Sequence, residues 1–223
     1  MDAKLVFSAL TKFALGLVLT AVLLFVPAGT VHYPNGQLFL LVLFLPMFLA
    51  GLVLMAVKPD LLRRRLQAKE RQVEQRWVVA LSGLMFLCGF AAAGLDYRFG
   101  WSRMPKGVTG CAVAVFLLAY ALYGEVLREN AWLSRTVEVQ QGQQVVDTGL
   151  YGVVRHPMYA ATILLFLSMP LVLGSWVSFV LFLPYPVLIA KRIRHEEALL
   201  ETELSGYADY KTRVKYRLIP YIW

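Results

Sequence analysis

Eleven residues, GLYGVVRHPMY from Gly149 to Tyr159, gather an arginine, a histidine, a helix-opening proline and two tyrosines beside long apolar runs. Polar groups held at a membrane boundary are costly to desolvate, so this density marks a candidate site. Downstream, the run KRIRHEEALL places the acidic pair Glu196-Glu197 just beyond the last apolar segment. Pro157 suits the first turn of a helix, where its missing N–H is no loss. Backbone N–H groups near His156 and Tyr159, at the positive end of that helix, then suit an anion. Arg155 adds a permanently charged planar fork for a carboxylate or phosphate. Glu196 and Glu197 offer acceptors for an ammonium, ribose hydroxyls or a proton. Arg192 lies one turn before Glu196 on the same helix face. Each of these residues has a purely structural explanation when taken singly. Arg155 can reach lipid phosphate, His156 can close a helix end, and Arg192 and Glu196 can form a solvated pair. Their concentration favours a site.

The elements that must position these groups are membrane helices. Hydrophobic residues make up 59% of the 223, against 45–50% in soluble domains, and they fall in runs long enough to cross roughly 30 Å of hydrocarbon. The runs are Leu5–Ala28, Gln37–Val57, Trp77–Leu95, Val108–Leu127, Tyr159–Leu173 and Ser175–Ala190. The last two are shorter than a full span, and Pro170, Gly174 and Ser175 between them predict a helical hairpin. The expected fold is all-α and integral to the membrane, with five to six transmembrane helices including that C-terminal hairpin. A single membrane domain is expected, with residues 1–128 as its N-terminal part and 129–223 carrying the polar loop, the hairpin and a C-terminal segment. The first run lacks a usual small-residue cleavage site and reads as a retained helix.

Charge orients the chain. Of 22 basic residues, all but Arg98, Arg103 and Lys106 fall near the N-terminus, in the Lys58–Arg76 and Arg128–Met158 loops, or in the C-terminal segment. Basic loops stay in the cytoplasm, so both termini and the Gly149–Tyr159 stretch are expected there. The basic loops themselves read as topology signals and contacts to anionic membrane lipids. With no soluble basic domain, nucleic acid is excluded as a partner. Cys88 and Cys111 lie inside apolar runs as small fillers. His32, His156 and His195 have no metal-ligand spacing, and no metal is expected.

The connection NAWLSRTVEVQQGQQVVDTG, Asn130 to Gly149, exceeds the usual 2–8 residues of a bundle linker and is rich in amides. Val137–Val139 and Val145-Val146 resemble short extended pieces around a polar turn at Gln140–Gln144. Glu125, one turn before Arg128, reads equally as that arginine's partner or as an additional acid. The tail GYADYKTRVKYRLIPYIW, with its Tyr and Trp among basic residues, reads as an interfacial lid.

These motifs resemble the isoprenylcysteine carboxyl methyltransferase family, a group of membrane-embedded methyltransferases that includes phospholipid N-methyltransferases. VVDTGLYGVVRHPMY is similar to the family's Gly-x-Tyr and Arg-His-Pro-x-Tyr signature, RIRHEEALL to its Arg-x-x-x-Glu-Glu signature, and GYADYKTRV to its Tyr-rich ending. The resemblance covers Asn130 to about Pro220. It implies S-adenosyl-L-methionine as cofactor in a cytoplasm-facing pocket. Carried over position by position, Gln140, Gln143, Gln144, Val145, Val146, Tyr151, His156, Pro157, Met158, Tyr159 and Glu196 would form that pocket, and Arg155, by its charge, would meet the cofactor's carboxylate. Arg192 would face the substrate, and Glu197, which matches the second acid of the pair, is taken with it as catalytic. Gln143 stands where the family often has His, and Leu150 where it often has Pro. No Gly-x-Gly-x-x-Gly follows a strand, so a Rossmann-type domain is excluded. The implied substrate is a lipophilic or prenylated amphiphile whose carboxylate, ionised at neutral pH, needs no base. An amine or thiol acceptor would need one, with Glu197 or Glu125 as candidates. Two alternatives stay open: a membrane sterol-reductase-like oxidoreductase using NADPH, and a non-enzymatic membrane protein. Oligomeric state is not legible.

Overall fold

The computed structural model of the chain describes residues 3–66, 73–134 and 136–223. Lys69, Arg71 and Arg135 of the basic loops lie outside them. Among the described residues all regular structure is helical. In chain order the helices are α1 (Ala3–Ala28), α2 (Pro34–Val57), α3 (Pro59–Leu66), α4 (Val73–Phe99), α5 (Lys106–Glu129), a 3₁₀ turn (Gly149–Gly152), α6 (Pro157–Val172), α7 (Trp176–Phe182), α8 (Tyr185–Glu203) and α9 (Tyr207–Arg213). Five stretches are long and apolar enough to span a bilayer: α1, α2, α4, α5 and the α7–α8 unit, with α6 shorter. The chain is an integral membrane protein. Its outer faces carry exposed Leu41, Val53, Leu118 and Val187, as a surface solvated by hydrocarbon requires.

Close packing sets the bundle. α4 crosses α1 at Gly94, where a Cβ would collide with the Leu24 carbonyl, so only glycine permits this approach. Phe86 meets Phe166 and Phe182 edge-on, with ring centroids 4.7 and 5.3 Å apart, in the offset geometry aromatic quadrupoles prefer. At the end of the bundle that holds the α6–α7 turn, buried Asp96 knots the chain. It accepts from the Ser102 N–H and hydroxyl at 2.7 and 2.6 Å and from the Ser175 hydroxyl at 2.5 Å. Ser175 in turn caps α7 by accepting from the Ser178 N–H at 3.0 Å, satisfying an orphan donor of the first turn. The hairpin expected at Pro170–Ser175 is this turn.

The last apolar run ends at Ala190, and its helix, after a break at Leu183-Pro184, continues to Glu203, carrying Arg192 and Glu196 on one shaft as their spacing implies. Two expectations are corrected. The loop after Lys58 is not bare: it holds α3, whose Leu61 and Leu62 are buried. Val137–Val139 and Val145-Val146 form no strands. The loop wraps instead of pairing, with Val139 and Val145 packed against Leu204, Tyr207, Tyr210 and Val214.

Candidate active site

The candidate site is assembled where α5 ends, α6 begins and α8 emerges. Glu129, the last residue of α5, accepts from the Leu150 N–H at 3.0 Å and so caps the 3₁₀ turn. Gly149 sits directly over that carboxylate with φ +52°, a left-handed conformation that disfavours any side chain. Asn130 holds the next segment, its amide nitrogen donating to the Tyr151 hydroxyl at 2.9 Å and its carbonyl accepting from the Trp132 N–H at 2.9 Å. The Tyr210 hydroxyl donates to the Tyr151 carbonyl at 2.7 Å. α6 then opens on Pro157, as its sequence demands.

Just before α6, two backbone N–H groups that the sequence offered to an anion are taken. The Arg155 and His156 N–H groups donate to the Tyr216 and Arg217 carbonyls, both at 2.9 Å, so the tail occupies them. The Arg155 guanidinium is equally engaged. Its Nε donates to Glu197 Oε1 at 2.7 Å, and Nη1 donates to the Val214 and Lys215 carbonyls at 2.7 and 2.9 Å. Glu197 also meets His156 Nε2 at 3.2 Å and accepts from Arg217 Nε at 2.8 Å. With 2% exposure and both oxygens taken, it is the buried hub of the tail rather than an acid facing a substrate. A buried carboxylate persists only when paired in this way. Arg155 likewise serves here as a clamp on the tail and not as a free fork.

Beside this hub lies an open cleft whose space, counted together with the solvent at its mouth, is about 850 Å³. Its floor is a hydrogen-bonded chain. Arg192 Nε donates to the Tyr159 hydroxyl at 2.9 Å, and that hydroxyl donates to Glu196 Oε2. α8 supplies Arg192 and Glu196, and α6 supplies Tyr159. The Gln75 amide of α4 donates to the Arg192 carbonyl at 3.3 Å, fixing α8 at this point. Gln143, Gln144, Val145, Val146, Tyr151, Arg155, His156 and Met158 line the cleft.

Gln140, Pro157 and Glu197 do not line it. Gln140 is a loop staple: its side chain donates to the Trp132 carbonyl at 2.6 Å and its N–H to Gln143 Oε1 at 2.9 Å. Pro157 shapes the helix start without facing the cleft. Glu125 pairs with Arg128 at 2.5 Å and is no part of the cleft.

Trp132, Ser134, Glu138, Leu200 and Tyr207 also form the wall; the sequence singles out none of them individually, although the first three lie in the amide-rich loop and Tyr207 in the Tyr-rich ending. Ser134, Thr136 and Glu138 form a local chain of hydrogen bonds at 2.9 and 3.0 Å, giving a second acid on the wall. The Tyr207 hydroxyl is buried and has no hydrogen-bond partner among the described residues. Burial raises the Tyr151, Tyr207 and Tyr210 phenols above their ordinary range, so all three stay neutral donors at physiological pH. A buried hydroxyl without a partner is costly and is the clearest sign of a group that a ligand completes.

The family model for phospholipid methyltransferase matches residues 103–205, from just before α5 to just past α8. The chain resembles the membrane-embedded methyltransferases. The solved structure of a eukaryotic intramembrane Ras methyltransferase, isoprenylcysteine carboxyl methyltransferase, superposes with a TM-score of 0.59. The match covers 94% of this chain and 75% of that one at 21% identity, a likeness of fold. A mouse delta(14)-sterol reductase is 31% identical over 91 residues, 40% of this chain. The methyltransferase-like chain spans only 22% of that reductase's length, so this second likeness is partial.

Proposed function

We propose that the chain transfers a methyl group from S-adenosyl-L-methionine, held in the cleft, to a lipophilic acceptor reaching it from the membrane. The observation that carries this reading is a cleft that joins the Arg192–Tyr159–Glu196 chain to the partnerless Tyr207 hydroxyl. The cofactor is a nucleoside with a ribose diol, an ammonium and a sulfonium, and it supplies an activated methyl. Glu196 and Glu138 offer acceptors for the diol or the ammonium. Tyr207 offers a donor or acceptor, and Trp132, Val145 and Leu200 offer apolar surface for a base. Tyr159 orients Glu196, and Arg192 is placed to hold an anionic acceptor such as a prenylcysteine carboxylate. When bound, the cofactor would supply its methyl with the sulfur as leaving group, so the acceptor would need only a lone pair, which Arg192 is placed to hold in line. Positioning is the main aid such a displacement needs. With Glu197 committed to Arg155, Arg217 and His156 and Glu125 outside the cleft, a carboxylate acceptor, needing no base, fits best.

The NADPH-dependent alternative draws on the partial sterol-reductase likeness. A dinucleotide with several phosphate charges favours a cluster of cations. This cleft presents Glu138 and Glu196 instead, and its Arg155 is bound to Glu197. A reading of 1–128 and 129–223 as one membrane domain is supported by a core cluster that draws on both, from Leu24 to Leu218. Lys12, Lys58 and the arginines of α3 gather at the cleft's end of the bundle, which supports a cytoplasmic cleft.

Isothermal titration of the detergent-purified protein tests this. S-adenosylhomocysteine should bind one-to-one and NADPH should not, and His156→Ala should weaken that binding strongly. Saturable NADPH binding with no response to S-adenosylhomocysteine would overturn the proposal.

A further inference from the structure

The loop between the second and fourth helices reads from sequence as a topology signal. In the folded chain its cations are used for something else. Lys58 Nζ donates to the Leu127 and Arg128 carbonyls at 3.4 and 2.7 Å. Arg64 Nη2 donates to the Ala131 carbonyl at 2.8 Å, and Arg65 Nη1 donates to the Ser134 carbonyl at 3.0 Å. The end of a helix leaves its last carbonyls without intrahelical partners and carries partial negative charge. Lys58, at the end of α2, therefore meets the C-terminus of α5, and Arg64 and Arg65 of α3 follow the chain from it into the cleft wall. Arg65 reaches furthest. It also donates to the Tyr123 hydroxyl of α5, lies over that ring at 5.4 Å, and approaches Met158 Sδ at 4.0 Å. Ser134 and Met158 both line the cleft. Leu61 of α3, 2% exposed, packs with Val126, Leu127, Leu133 and Tyr151 and seats the helix on this same surface.

We propose that α3 is a clamp on the cleft wall and that Arg65 is its positioning residue. It acts through the Ser134 backbone and the Met158 side chain on whatever the cleft holds. One planar guanidinium fixes three points on α5, α6 and the loop between them, which a point charge cannot do in the same way. The clamp makes the width of the cleft depend on an element that does not itself line it.

The choice of probe rests on the cofactor reading above, and the test separates the two. S-adenosylhomocysteine affinity is measured by titration calorimetry on wild type, Arg65→Met, Arg65→Lys and Arg63→Met, with thermal midpoints in the same detergent. Deuterium exchange is followed over residues 131–138. Arg63, exposed and paired with Asp60, is the charge-matched control. Arg65→Met should weaken binding by about 10-fold, equivalent to about 1.4 kcal/mol, with exchange faster over 131–138 and the midpoint little changed. Arg65→Lys should recover part of the affinity, and Arg63→Met should match wild type. Wild-type affinity and exchange in Arg65→Met would overturn the clamp. So would a loss of binding that tracks a fallen midpoint and is not relieved in Arg65→Lys. If wild type itself does not bind the probe, the cofactor reading fails, and exchange over 131–138 alone decides the clamp.

Discussion

Replacing Tyr207 with phenylalanine removes one oxygen from a ring that is 4% exposed. That oxygen is buried and has no partner among the described residues. Leaving a buried hydroxyl unsatisfied costs about 1–3 kcal/mol, so its removal should stabilise the ligand-free protein. Taking about 1 kcal/mol of that as recovered, a chain of this size gains about 2–4 °C in thermal midpoint. If the hydroxyl completes a ligand, the same change should weaken the binding free energy of S-adenosylhomocysteine by about 1–1.5 kcal/mol, or roughly 5- to 13-fold in affinity. The two effects have opposite signs, and a residue that merely packs does not produce that pattern. Tyr210 supplies the contrast, because its hydroxyl donates to the Tyr151 carbonyl at 2.7 Å. Tyr210→Phe should therefore lower the midpoint. Thermal unfolding and titration calorimetry on both variants measure every quantity. A raised midpoint with unchanged affinity in Tyr207→Phe would refute the reasoning, since the hydroxyl would then be idle.

The twin glutamates should separate cleanly. Glu196→Gln should leave the thermal midpoint near wild type and weaken S-adenosylhomocysteine binding by about 10-fold or more, the loss of a charge-assisted bond. Glu197→Gln leaves Arg155 and Arg217 without their shared anion and should destabilise by about 3–5 kcal/mol, seen as a large drop in midpoint. Gly149→Ala should cost about 1–2 kcal/mol from its positive φ, plus displacement of the Glu129 carboxylate, again read by thermal unfolding. Gly94→Leu should block the approach of α4 to α1 and abolish a monodisperse peak in size-exclusion chromatography.

The spans were legible because hydrocarbon thickness imposes run length, and the hairpin because Pro170, Gly174 and Ser175 interrupt an apolar run. Most of the cleft was legible because a motif puts His156, Met158 and Tyr159 on one helix start and Arg192 and Glu196 on one face of another. What escaped had a common cause. Glu138, Trp132 and Tyr207 come to the cleft through an irregular loop and a short terminal helix, and neither has a periodicity to read. The roles of Arg155 and Glu197 were misjudged because their partners are the Val214 and Lys215 carbonyls and Arg217, groups about twenty residues or more away with no mark in the sequence. Pro157 belongs to that motif and Gln140 to the loop before it, yet neither lines the cleft, since a motif records what the fold needs as well as what the ligand touches.

The unit from Trp176 to Glu203 serves two masters. Its first part is fitted to the lipid and its last turns present Arg192 and Glu196 to Tyr159. A helix advances about 100° per residue, so adding or deleting a single leucine between Val187 and Ala190 would leave insertion into the bilayer intact. It would swing the arginine and the glutamate around the shaft to face elsewhere. Length variation in that stretch is therefore permitted by the membrane and forbidden by the chemistry, and a variant that inserts, folds and does nothing is the phenotype to look for there.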